Sequence, residues 1–139
     1  WKQRAAQAAF CVTRWYYGKT MRRNHTHYLA NKERARTFIR SRIEVYNAHL
    51  QLTIGRVSVK NQKTCWGSCS RKGNLNFNYA LVLLPVPVAD YVIVHELCHL
   101  VHFNHSRAFW ELVARIVPEY RYLRAQLKQY RLGHSLSLL

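Results

Sequence analysis

At 139 residues the chain is long enough for one domain with a real core and too short for two comfortable ones. Hydrophobic residues make up 49% of it, which argues against a disordered chain, and no apolar run reaches the length of a membrane span. The formal net charge of +16 and a pI near 10.3 make a polyanion, nucleic acid foremost, a candidate partner.

That charge is uneven: residues 1–63 hold 14 Lys/Arg against 2 Glu, whereas residues 64–139 hold 8 against 4 Asp/Glu. The opening WKQRAAQAAF lacks the basic, apolar, small-residue order of a secretory signal and reads as mid-helix, so a cytoplasmic setting is expected. Cys11, Cys65, Cys69 and Cys98 are then expected as reduced thiols. The Cys65/Cys69 spacing invites a metal reading, but no second ligand pair stands at zinc-finger distance.

No repeat, low-complexity tract or linker interrupts the chain, and a single domain over 1–139 is expected. Ala5, Ala9, Val12 and Tyr16 have helical spacing, and Gly18 with the basic stretch to His27 closes that first element. Residues 1–27 read as a basic helical extension on a core of about 28–128. From Tyr28 to Leu50 a second helix is predicted, with Ala35, Phe38, Ile39, Ile43, Tyr46 and Leu50 on one side. Lys32, Arg34, Arg36, Arg40 and Arg42 form its cationic outer side.

The period then changes. Ile54 to Lys60 is rich in β-branched residues, and Asn74 to Tyr79 alternates polar and apolar, as a half-buried strand does. Cys65-Trp66-Gly67-Ser68-Cys69-Ser70 reads as a strand entering the turn Arg71-Lys72-Gly73, giving a sheet of three or four strands. A helix from Pro87 to His102 is apolar nearly all round and should be buried. Asn104 can break it by a left-handed conformation, Ser106 can cap a helix to Val117, and Pro118 can open a last one ended by Gly133. The order of helices, sheet and helices is that of an α+β domain.

Inside the buried helix stands His95-Glu96-Leu97-Cys98-His99. At about 100° per residue, His99 returns over His95, so both imidazoles leave one face a turn apart and can reach one ion. Glu96 sits beside that face, where its carboxylate can take a proton from water rather than coordinate. With 8 His and 6 acidic residues in 139, this motif plus a His six positions on arises by chance at roughly 0.001. His105 meets that condition. One zinc ion on His95, His99 and His105, with a fourth position open, is the catalytic pattern, and Glu96 would be general base and then acid.

The third ligand has a rival in Glu111 on the following helix, although His105 is favoured. The strand edge at Trp66-Gly67 can receive an extended peptide beside the metal helix. Trp66 suits the core better than a substrate pocket, and Gly67 marks a close backbone approach or bulge. Asn78, Tyr79 and His102 are unranked candidates for stabilising an oxyanion.

At these residues the chain resembles the YgjP-like family of small predicted zinc metallopeptidases, relatives of the SprT-like proteases. The matching stretches are Val59 to Ser70, Gly73 to Asn78, Asp90 to Leu100, Asn104-His105-Ser106 and Phe109-Trp110, within about 28–128. The resemblance implies a zincin-like fold, His95, His99 and His105 as zinc ligands, and Glu96 as catalyst. Cys65 stands where the family usually has Arg, so no charge role carries over there, and Val101-His102 is also unusual. Three functions are therefore weighed. A zinc metallopeptidase acting on peptides or proteins leads; a metal-dependent nucleoside triphosphate pyrophosphatase and a nucleic-acid-binding module with a structural metal follow.

Overall fold

The computed structural model describes residues 25–130. The helix predicted over Trp1–Tyr17, Cys11, the basic stretch through Asn24 and the stop at Gly133 lie outside them. Helix α1 spans His25–Leu50. It thus includes His25 to His27, ahead of the start expected at Tyr28. Ala35, Ile39 and Ile43 recur every fourth position and are buried, with Tyr28, Phe38, Tyr46 and Leu50 packed beside them. The helix ends because Gln51 turns left-handed (φ 51°), and the Asn47 side chain clasps Leu52 through both its backbone polar groups.

The outer face of α1 differs from expectation at one residue. Arg42 turns inward and forks onto Asp90, with Nε donating to Oδ1 at 2.7 Å and a terminal nitrogen to Oδ2 at 2.6 Å. An Arg at a helix boundary between faces is drawn in when a buried carboxylate faces it, and this bidentate pair ties α1 to the helix that carries the HExxH motif. Arg34 and Arg40 remain exposed, Arg36 pairs with Glu33, and Lys32 lies over the Tyr28 ring.

Three strands follow: β1 Val57–Lys60, β2 Gly67–Cys69 and β3 Leu75–Asn78. Their order is β1-β3-β2, so β3 is central, parallel to β1 and antiparallel to β2. Leu75 and Phe77 alternate inward and are fully buried. The β2–β3 turn closes on Gly73, whose φ of 76° is cheap only for glycine. Strands β1 and β3 are shorter than their sequence patterns. Ile54 lies before β1, and Tyr79 opens a 3-10 turn (Tyr79–Leu83) that Asn78 caps by accepting from the Ala80 N–H.

Helix α2 spans Val86–Cys98, with Pro87 in its first turn and every residue from Val88 to Cys98 buried. It stops four residues short of the predicted His102. The chain tightens there: Leu100 N–H bonds to Leu97 O, and Val101 and His102 N–H both bond to Cys98 O. Asn104 does not take the expected left-handed conformation, because the helix has already ended upstream. Helix α3 spans Arg107–Ile116, and Ser106 caps it by accepting from the Phe109 N–H. Pro118 and Glu119 form a turn, and α4 runs Tyr120–Leu127. Helix α2 lies at the centre, packed between α1, β2, α3 and α4.

Candidate metal centre

Burial of α2 on all sides places His95 and Glu96 deep, at 1% and 2% exposure. Two ionisable groups in an apolar helix are costly unless something uses them. His95 and His99 stand one turn apart with ring centroids 4.8 Å apart, as the spacing predicts. The tight turn after Cys98 brings the chain back, and the Ser106 cap fixes the start of α3, so that His105 faces the pair. Its ring lies 5.0 Å from His95 and 4.7 Å from His99. The Nε2 atoms of His95 and His105 are 3.1 Å apart, and one nitrogen from each of the three rings falls within 4.8 Å of the others.

These three side chains fit a metal ion. His99 Nδ1 is 3.0 Å from the His102 carbonyl oxygen, to which it donates in the tautomer that leaves Nε2 open as a donor to an ion. Desolvation first, then the neighbouring His99 and His105 and Arg124, holds the His95 imidazole down to about 3, in the neutral form a ligand requires. Desolvation also lowers His105. Burial pushes the Glu96 carboxyl up to about 8 without an ion; a nearby divalent charge favours the carboxylate instead. Glu111, the rival ligand, is exposed and pairs with Arg107 at 2.7 Å, outside the histidine group.

Aromatic rings bracket the histidines, a feature the sequence reading did not assign to the site. Phe109, fully buried, stacks on His99 at 4.6 Å and meets His95 and His105 edge-on. Trp110 stacks on His105 at 5.6 Å, and the Arg124 guanidinium lies 4.9 Å from the Trp110 ring centre. The signal was available: Phe109 and Trp110 follow the Ser106 cap by three and four residues, on the face that α3 turns toward α2.

The substrate-side candidates divide. Gly67 on β2 backs directly onto Glu96: a Cβ there would sit 2.7 Å from Glu96 Cγ and 2.8 Å from Oε1. Trp66 is 2% exposed and belongs to the core, the setting its sequence favours over a substrate pocket. Asn78 is fully buried, and its amide donates to the Gln62 and Cys65 carbonyls, holding the loop before β2. Tyr79 is fully buried, with its hydroxyl 3.0 Å from His27 Nδ1. Neither presents a donor at the surface. His102 is half-buried and serves His99 through its backbone carbonyl.

Cys65, Cys69 and Cys98 are free thiols, and burial raises all three, Cys69 to about 11 and Cys98 to about 12. Among the described residues no metal-holding group includes them.

An α+β domain whose central buried helix offers two histidines and a glutamate, met by a third histidine from the next turn, defines a metallohydrolase architecture. Residues 14–130 match the family described as YgjP-like, metallopeptidase domain, and the chain belongs to that family. It is therefore a metallopeptidase, and its family implies a metal ion. Two solved structures share the fold. The metallopeptidase zymogen of Pyrococcus abyssi abylysin is 22% identical, with a TM-score of 0.60 over 67% of this chain and 97% of that one. The zymogen of Methanocaldococcus jannaschii jannalysin is 21% identical, with a TM-score of 0.58 over 66% and 94%. Among curated proteins none matches significantly. No described helix is long and apolar enough to cross a membrane.

Proposed function

We propose that the chain is a zinc peptidase in which His95, His99 and His105 hold one zinc ion and Glu96 moves the protons of peptide hydrolysis. The convergence of three imidazole nitrogens within 4.8 Å, next to a buried carboxylate, carries this reading. Zinc held there would bring the pKa of water to about 7 and polarise the scissile carbonyl.

The protein's own groups supply the rest. Glu96 accepts a proton from the attacking water as its oxygen adds to the carbonyl carbon. The same carboxyl then donates that proton to the leaving amine as the C–N bond breaks. Gly67, with no side chain, lets β2 lie against Glu96 and fixes where the carboxylate points. Strand β2 is an edge of the sheet, and an extended peptide can pair with it and lie across the site. The low-dielectric surroundings strengthen every charge interaction at Glu96.

Phosphoanhydride hydrolysis has less support. Magnesium chemistry on nucleotides uses carboxylates, and the described residues group three histidines instead. The +16 charge supports docking of a nucleic acid or other polyanion, which would bring bound proteins to the site. The deciding experiment incubates zinc-loaded protein with casein and, separately, with nucleoside triphosphates. Peptide release with intact nucleotides is expected; pyrophosphate release with intact casein overturns the reading.

A further inference from the structure

Among the described residues, two buried side-chain polar atoms have no hydrogen-bond partner within the protein: Tyr91 Oη and His95 Nδ1. They are neighbours. Tyr91 lies one turn before His95 on α2, and their rings meet edge to face with centroids 5.9 Å apart. Both residues are essentially without solvent exposure, at 0% and 1%. Buried polar atoms are nearly always paired, so two unpaired ones on touching rings call for a common explanation.

The histidine pair supplies it. His95 Nε2 faces His105 Nε2 at 3.1 Å, so in the ligand form its proton sits on Nδ1. A metal-ligating imidazole is oriented by what its other nitrogen bonds to. For His99 that partner is the His102 carbonyl. For His95 the touching Tyr91 ring carries the other unpaired buried polar atom, its hydroxyl.

We propose that Tyr91 is the positioning residue of His95, its hydroxyl joined to the His95 Nδ1–H through one buried water. A buried water needs two to four polar partners, and Tyr91 Oη and His95 Nδ1 would supply two of them. A phenol hydroxyl can both accept and donate a hydrogen bond. The bridge would keep the His95 ring turned with Nε2 toward the ion. The proposal rests on the three-histidine zinc site.

Tyr91→Phe tests it, because the ring contact is kept and only the hydroxyl is lost. In competition with a chromophoric chelator, the zinc Kd of the variant should rise about 10-fold, the lower end of the range for such partners. The metal-free variant should keep the wild-type helix content by circular dichroism, since the ring and its packing are retained. Wild-type zinc affinity in the variant overturns the proposal. Should the variant not fold, the zinc-loaded wild type decides: His95 Nδ1–H should give a slowly exchanging nitrogen-coupled proton signal with cross-relaxation to water. Absence of that signal overturns the bridge. His95→Ala separates the two ideas. Zinc binding unchanged in that variant overturns the three-histidine site itself, whereas lost binding beside a normal Tyr91→Phe overturns the bridge alone.

Discussion

Glu96→Gln should lower casein turnover by about 10²- to 10⁴-fold, the usual contribution of a positioned acid or base, and leave bound zinc at wild-type content. The amide matches the carboxylate in size, so the close approach of β2 at Gly67 is undisturbed. It cannot accept the water proton or return it to the amine. Glu96 is not one of the three converging side chains, which is why the metal should stay. Peptide release and metal analysis on the same sample check this. Retained turnover would remove Glu96 from the chemistry; lost zinc would make it a ligand.

Gly67→Ala should lower turnover by about 10²-fold, as a displacement of about 1 Å in a catalytic group does. The added methyl would sit 2.7 Å from Glu96 Cγ, closer than real contacts allow, and both sides are buried. Either Glu96 swings aside or β2 lifts from α2, and overpacking of this kind costs about 1–3 kcal/mol of stability. Zinc content should again hold, since no histidine touches the new methyl at that range. A kinetic assay with a melting curve checks both effects; full activity would mean that β2 does not set the Glu96 position.

How much of this was legible beforehand follows from which forces are local. His95, Glu96 and His99 could be read because helix periodicity alone places them, and the apolar run around them announced burial. His105 and the Ser106 cap could be read from short spacing. The end of α2 at Cys98 could not, since the switch to tighter turns depends on tertiary packing rather than on any breaker residue. Arg42 departs from its expected outward position for the same reason. Its inward turn is decided by Asp90, distant in sequence. Asn78 and Tyr79 looked like strand residues with useful polar ends, but burial commits those ends to the loop before β2 and to His27. Gly67 was suspected of a close approach, though only the fold could say that its neighbour is Glu96.

Anomalous scattering at the zinc edge, from crystals of the zinc-loaded protein, tests the central claim most directly. One peak per chain should appear at bonding distance from Nε2 of His95, His99 and His105, with Glu96 beside it and unbonded. A peak at Cys65 and Cys69, or one that draws in Glu111 in place of His105, would contradict it.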